Sequence, residues 1–484
     1  MAGLSARPAQ RTRPPRGVAR RLHPRVHAAH GARTPGRARA ASCRHLAQGR
    51  HQRAARQDLG LVPRRPHQPD VSAGRGRPPP RSRGGAGMTA VAEVAAGWPR
   101  SVAPARPASM PLFPTLWPSM MRGAASAAGL PFPLTDPGRR EFSFARYGIY
   151  AIARALGLEG REVLFPAFFH CVELDALLAA GAKIALYPIG ADLQLDPQAI
   201  ADRIGPRTAA LYVIHYAGFP APIRALRTLC RDRGLALIED CAHALLSSVE
   251  GQPLGSFGDG AVFSLPKSLP TPDGGIALLR GGWSEGARRQ RQPRRAWLAA
   301  HTASLLLANL QMRHLPAAAE VRAVALRMGK AAYAATGAAY VPMGTPDFDL
   351  AQADTTMSAL SRRILMRQDF ATIVARRRRN YRYLLERLDD VAPPIVGALP
   401  EEGCPLFYPF RVARRDAVLA RLQAQSVPLG EFWPERHPMT PDGEFPGVNE
   451  LRATALWLPC HQDMTQEALE WLVLQVRQAV LGER

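Results

Sequence analysis

The chain has 484 residues, enough for two or three domains and a sizeable core; 46% are hydrophobic and 21% charged, as in a globular protein. No run of eighteen apolar residues is free of polar interruption, which argues against a membrane-spanning helix. The formal charge of +24 would suit a polyanion binder, but residues 1–87 alone carry +18, from 20 Arg against Asp58 and Asp70, so the rest of the chain is only mildly basic.

Residues 1–87 read as Arg, Pro, Ala, Gly and His with no hydrophobic period, and disorder is expected there. A nucleic-acid tail, a transit peptide and a tether to anionic membranes are the functional readings. Prolines such as Pro14-Pro15 and Pro78-Pro79-Pro80 spoil the amphipathic helix of a transit peptide. A misassigned start or inert tail is favoured, because no Met lies between Met1 and Met88 and ordinary composition resumes there. The cysteines Cys43, Cys171, Cys230, Cys241, Cys404 and Cys460 form no CxxC pair and no zinc-type cluster, so reduced thiols in a cytoplasmic protein are expected. No secretory signal is evident.

Residues 88–135, including Met110–Trp117, read as a Pro- and Ala-rich arm that packs on the body. Apolar, β-favouring runs follow at Glu162–Phe165, Ile184–Tyr187, Ala209–Tyr216, Leu235–Asp240, Gly260–Leu265 and Gly275–Leu279. Helix-like stretches separate the first four: Glu173–Ala180, Pro197–Ile204 and Ile223–Arg233. This alternation predicts an α/β fold with a mostly parallel sheet. The last two runs are close enough for a loop to join them. Residues 283–345 look helical and partly apolar, and a helix packed on the body is favoured over one lying on a membrane. A long helix is expected from about residue 354 through the Arg376–Arg379 run to Leu388, with the four arginines on a solvated face. Residues 405–484 suit a small α/β unit. The resulting division is a tail at 1–87, an arm at 88–135, a large domain at 136–350 and a small C-terminal domain at 351–484.

Ligands of open α/β sheets bind beyond the carboxyl ends of the strands. There the sequence places Asp240-Cys241-Ala242-His243, His215-Tyr216, Phe169-His170-Cys171 and Ser264-Leu265-Pro266-Lys267. A lysine and an acid together suit a cofactor that offers an aldehyde to an amine and a ring nitrogen to a carboxylate, as pyridoxal 5′-phosphate does. Lys267 would form the Schiff base, Asp240 would face the ring nitrogen and His170 would stack on the ring. The phosphate would sit where Phe144-Ala145-Arg146-Tyr147-Gly148 opens the helix Ile149–Leu156, with Ser264 adding a hydroxyl. Taken singly, each residue has a plainer reading: a helix cap, a surface lysine or a satisfied core histidine. Their combination and order carry the functional one.

At these residues the chain resembles the DegT/DnrJ/StrS family of sugar aminotransferases. The matching segments are Ile238-Glu239-Asp240-Cys241-Ala242-His243-Ala244, Leu254-Gly255-Ser256-Phe257-Gly258-Asp259, Phe263-Ser264, Lys267 and Asp273-Gly274-Gly275. Weaker ones are Val163–Pro166, Gly181-Ala182, His215–Pro220, Arg378–Tyr381 and Leu458-Pro459-Cys460-His461. The resemblance spans about residues 110–480. It implies PLP fold-type I: a large domain with a mostly parallel sheet flanked by helices, and a smaller C-terminal α/β domain. It also implies a homodimer with active sites at the subunit interface.

Among the site residues, the resemblance makes Lys267 the cofactor lysine and proton shuttle and Asp240 the acid on the pyridine nitrogen. His243 falls at the contact to the phenolic oxygen and His170 at the stacking position. Ser264, Ala145 and Arg146 fall at the phosphate. No metal is implied. The activity implied is ping-pong transfer of an amino group from glutamate to a nucleotide-linked keto-sugar, in the cytoplasm.

This chain departs from the family pattern at Phe144-Ala145-Arg146, where Ser-Gly-Thr is usual, and at Asp354, where the partner subunit commonly supplies an Asn. Only two residues separate Ser264 from Lys267, against four in many relatives. Arg146 replacing neutral donors at the phosphate is the expectation. A different PLP reaction, a non-catalytic regulator or scaffold, and a nucleic-acid role through residues 1–87 are the alternatives. The retained Lys267 and Asp240 argue against a dead site.

Overall fold

The computed structural model describes residues 104–107, 109–122, 126, 129–283, 290–313, 320, 321, 323, 324, 327, 328, 348–441 and 443–483. The expected disorder of residues 1–87 lies outside the described residues, as does most of 314–347. Among the described residues no helix is long and apolar enough to cross a membrane.

Apolar runs that end at polar residues become the strands of one seven-stranded sheet. These are β1 (Arg140–Phe142), β2 (Glu162–Pro166), β3 (Lys183–Tyr187), β4 (Thr208–Ile214), β5 (Ala236–Asp240), β8 (Gly260–Ser264) and β9 (Gly275–Leu279). The hairpin β6 (Ser248–Val249) and β7 (Gln252–Pro253) stands apart. The sheet order is β1-β9-β8-β5-β4-β2-β3. β3, β2, β4, β5 and β8 run parallel, whereas β9 pairs antiparallel with β8 and β1 antiparallel with β9. All seven residues of β4 are buried, as befits a parallel strand covered on both faces. Chain order reverses between β2 and β4, which opens the crevice typical of ligand sites in such sheets.

The helices that precede or cross between these strands are α1 (Ser119–Arg122), α2 (Ala145–Ala155), α3 (Cys171–Ala179), α4 (Pro197–Ala201) and α5 (Ile223–Arg233). α2 begins at Ala145, four residues earlier than expected, so Arg146 lies in its first turn and Phe144 is its cap. A four-residue helix, α6 (Leu265–Ser268), opens the connection from β8 to β9 where a plain loop was expected. α7 (Arg295–Met312) lies in the 283–345 region expected to be helical.

The long helix expected from residue 354 is two helices, α8 (Ala359–Leu365) and α9 (Phe370–Leu388). The break has a local cause: Asp369 caps α9 by accepting the Thr372 N–H at 3.0 Å. Beyond α9 a three-stranded antiparallel sheet has the order β10-β12-β11, from β10 (Phe407–Arg411), β11 (Gly430–Glu431) and β12 (Ala455–Pro459). Helices α10 (Arg415–Ala424), α11 (Pro446–Thr454) and α12 (Gln466–Leu481) accompany it.

The arm and the C-terminal region are tied to the body. The Thr115 N–H and hydroxyl both donate to Asp463 Oδ2, and the Trp117 indole donates to Oδ1. Gly218, with φ 94°, lets residues 404–406 approach: a Cβ there would strike the Cys404 carbonyl, and the Leu406 N–H donates to Ala217 O at 2.8 Å.

Arg377 overturns the expectation of a solvated arginine face. It is 1% exposed, and its guanidinium donates to Gln462 Oε1, Pro405 O, Leu406 O and Ser268 O. The neighbouring Arg378 donates to the carbonyls of Pro400 and Gly403.

Candidate active site

β5 delivers Asp240 to the carboxyl edge of the sheet, buried. Its Oδ2 accepts the Tyr212 hydroxyl from β4 at 2.7 Å, and its Oδ1 accepts the Ala242 N–H at 2.8 Å. Each oxygen keeps a further lone pair for a ligand N–H. Burial pushes this carboxyl up, while the Tyr212 hydroxyl and then the Lys267 ammonium pull it down. Lys267 leaves β8 on α6 and is half-buried. Burial lowers the pKa of its amine, Glu173 and Asp240 oppose that, and Arg146 adds to it. A lysine eased toward its neutral form is a better nucleophile than a fully charged surface one.

Two histidines flank this pair. His170 is the N-cap of α3, with Nδ1 3.9 Å from Glu173 Oε2. His243 is buried, and its Nδ1 accepts the Ala217 N–H at 3.3 Å. That bond assigns the proton to Nε2, so His243 presents a donor suited to an oxyanion. Burial first, then the Lys267 and His170 charges, hold His243 well below the usual imidazole range, and hence neutral. Trp433, just after β11 and in a left-handed backbone turn (φ 50°), packs beside both. Its ring centre is 5.3 Å from that of His243 and 6.4 Å from that of His170.

A third corner lies at the start of α2. Phe144 makes no side-chain cap, and the first turn holds no acid. The early N–H groups of an eleven-residue helix are thus uncontested by side chains. Arg146 is buried there, its guanidinium 5.0 Å from the Phe144 ring centre. Gly275 makes the corner possible, since a Cβ on it would strike the Ala145 backbone. Ser264 pairs with Gly275 across β8 and β9, so Ser264 and Ala145 approach the corner from two elements.

These residues fit pyridoxal 5′-phosphate. The Asp240 carboxylate has spare acceptor capacity, the Lys267 amine is eased toward neutrality, His243 is a neutral donor, and uncapped N–H groups lie beside a buried guanidinium. Asp354 is exposed, and its backbone carbonyl accepts the Arg291 N–H.

His215, also at the edge, belongs to a separate network. Its Nδ1 accepts the Ala221 N–H at 3.0 Å, so Nε2–H donates to Glu239 Oε2 at 3.2 Å. Glu239 also accepts the N–H groups of Gly255, Phe257 and Gly258. His215, Glu239 and Cys241 lie close enough to suggest a metal cluster, but Glu239 is already saturated by these donors and burial holds Cys241 as a thiol. Asp273 of the Asp-Gly-Gly segment likewise accepts the Ser358 N–H and hydroxyl and the Ser361 hydroxyl.

Sequence reasoning missed Glu173, Trp433, Tyr212 and the Arg377 clamp. Glu173 had a signal: it is an acid inside the largely apolar run Phe168–Leu178, three residues after His170. Arg377 and Gln462 both donate to Ser268 O, the carbonyl next to Lys267, so they hold the end of α6 that carries the amine.

A mostly parallel sheet with a lysine and an acid on its carboxyl edge defines a pyridoxal-phosphate type of fold, and the comparisons agree. Residues 147–285 match the DegT/DnrJ/EryC1/StrS aminotransferase family. Over 128 residues it is 34% identical to GDP-perosamine synthase of Vibrio cholerae, covering 26% of this chain and 35% of that protein. Over 124 residues it is 37% identical to dTDP-4-dehydro-2,3,6-trideoxy-D-glucose 4-aminotransferase of Saccharopolyspora spinosa, covering 24% and 31%. The matches thus span about a third of the length of these curated relatives. The crystal structure of the aminotransferase TlmJ from Streptoalloteichus hindustanus superposes with TM-score 0.50 and 25% identity, covering 72% of this chain and 86% of that one. Helicobacter pylori PseC shares the fold at TM-score 0.52 and 15% identity, over 71% and 86%.

Proposed function

We propose that the protein is a PLP-dependent aminotransferase. It would move an amino group from glutamate to a nucleotide-linked keto-sugar in a ping-pong exchange. The observation that carries this reading is the convergence of Lys267 from β8 and Asp240 from the adjacent β5, with Asp240 held by Tyr212 and Ala242 so that lone pairs remain. The relatives bearing on the acceptor are named for GDP- and dTDP-linked sugars.

When bound, pyridoxal phosphate supplies an aldehyde for an amine and an electron-poor ring that carries the amino group between donor and acceptor. The chain's residues have these tasks. Asp240 keeps a carboxylate against the ring nitrogen and favours its protonated form. Lys267 holds the cofactor while the site rests, then serves as a free amine that moves a proton. His243 Nε2–H donates to the phenolic oxygen. His170 provides a face for the ring. The N–H groups at Ala145 and Arg146, the Arg146 guanidinium and the Ser264 hydroxyl receive the phosphate. Trp433 and the buried strand ends exclude water. A homodimer and a cytoplasmic location belong to the same proposal.

The test is the visible spectrum of the full chain with PLP, before and after glutamate, beside Lys267→Ala. The expected result is a yellow band that bleaches with glutamate in the parent and does not form in the variant. No band in a well-folded parent would overturn catalysis in favour of a binding or scaffold role.

A further inference from the structure

Lys267 rides on α6, and a helix of four residues is too short to be stable by itself. What touches the turn from outside therefore sets where the amine stands. At its start the Leu265 N–H donates to Gly274 O at 3.0 Å. At its end Ser268 O accepts two donors, Arg377 at 3.0 Å and Gln462 Nε2 at 3.1 Å.

Gln462 belongs to a junction, Cys460–Asp463, between β12 and α12. On the inner side Gln462 Oε1 accepts the Arg377 Nε–H at 2.9 Å, and Asn380 Nδ2 donates to His461 O at 2.9 Å. Arg377 can only donate and Ser268 O can only accept, so the orientation of the Gln462 amide is fixed. On the outer side the junction holds the arm. Asp463 Oδ2 accepts the Thr115 N–H at 2.7 Å and its hydroxyl at 2.9 Å, and Oδ1 accepts the Trp117 indole at 3.2 Å. His461 Nδ1 accepts the Asp463 N–H at 3.3 Å, so its Nε2–H donates to Pro111 O at 2.8 Å. Asn309 of α7 backs the arm by donating to the Thr115 hydroxyl at 2.9 Å. The two residues that grip the arm thus flank the one that grips α6.

We propose that the docked arm sets the position of Lys267, with Gln462 as the positioning residue that links them. While the arm is seated, its bonds to His461 and Asp463 fix the backbone on both sides of Gln462, and the amide reaches Ser268 O. With the arm lifted, that backbone loses its outer partners and Gln462 loosens its hold. Arg377 still binds Ser268 O, so the turn relaxes rather than unfolds. Coupling of this kind travels through contiguous hydrogen bonds between packed elements. The inference rests on the reading of Lys267 as the reacting amine.

The test uses the full chain with no cofactor added. Thr115→Val removes a hydroxyl donor to Asp463, and Trp117→Phe removes the indole donor. In either variant the amides of residues 265–271 should exchange hydrogen about fivefold faster, as for one ordinary hydrogen bond lost, while those of β4 keep the parent's rate. The amine is read directly, because the chain has only three lysines, Lys183, Lys267 and Lys330. Reductive ¹³C-methylation therefore gives a simple NMR spectrum in which Lys267→Ala assigns the Lys267 signal. That signal should move in both arm variants and in Gln462→Met, while Lys183 stays. Joining an arm substitution to Gln462→Met should move it no further than Gln462→Met alone. An unmoved Lys267 signal in both arm variants makes the arm a structural anchor only and overturns the proposal. Additive shifts, which bypass Gln462, overturn it too, as do equal changes at β4 and Lys183, which mean general loosening. Should Gln462→Met fail to fold, the two arm variants still decide. No cofactor enters, so failure of the spectral test above and failure of this one are separate results.

Discussion

The two faces of β5 carry neighbouring carboxylates that live under opposite conditions. Glu239 points to the face where four donors meet it: three backbone N–H groups and the His215 ring. Asp240, one residue on, points to the opposite face, as successive strand residues must. There it shares space with Glu173, whose Oε2 lacks a partner among the described residues. Both regions are buried and both hold acids beside histidine. The first is closed: every lone pair in use holds a loop in place. The second is open: acceptor capacity is left over, and pKa values are displaced. Saturated buried polar groups specify a fold, whereas an unsaturated cluster with displaced pKa values marks a place where something else binds or a proton moves.

That contrast can be broken from either side. The largest expected effect is on the open side, where Lys267→Ala should cut the proposed transamination roughly 10²–10⁴-fold while the chain still folds cooperatively. A variant that loses its fold instead would make Lys267 structural and erase the contrast. On the closed side, Glu239→Leu should cost about 3–5 kcal/mol of stability, because three N–H groups and His215 would be buried without their acceptor. Urea unfolding with an unchanged slope would register it, and a loss below about 1 kcal/mol would show that the network is not holding the loop. Arg377→Met should come next, at about 3 kcal/mol, since four carbonyl or amide acceptors lose a charged donor. Because Ser268 O is one of them, the variant should also lower kcat; an effect on stability alone would separate the clamp from Lys267.

Much of the open side was legible in the sequence because parallel strands buried on both faces read as apolar runs, and the residue after each run falls on one edge. Asp240, Lys267, His170 and His243 were assigned to that edge in this way. The same rule hid Glu173, which stands in the first turn of α3, seven residues beyond the end of β2 and inside a largely apolar run. Trp433 was hidden for another reason: it meets His243 only through tertiary packing of β11 against the edge, and local pattern holds no trace of that. Arg377 was misread because a run of four arginines is read by its average, and the one that turns inward is satisfied by carbonyls no sequence pattern displays. The break between α8 and α9 was readable, since Asp369 followed by Thr372 is a capping pattern, but the apolar period on either side masked it.

The smallest effect is the most informative about the open side. A carboxyl held at about 8 in the folded chain, against the ordinary carboxylate range when unfolded, keeps a proton that the unfolded chain has lost. Between those limits the native state binds more protons, so stability falls as pH rises through the window. Glu173→Gln removes that contribution. The variant should therefore gain on the parent steadily from about pH 5 to about pH 8 and no further above it. Asp240, also raised, stays in both proteins and leaves a residual slope of the same sign. Lys267, lowered, contributes the opposite slope at higher pH, which confines the clean comparison to the acid side of about 8. Urea midpoints at the two ends of the window measure the difference directly. If the gap between variant and parent is the same at both, Glu173 is ionised throughout, and the open side is as closed electrostatically as the Glu239 network beside it.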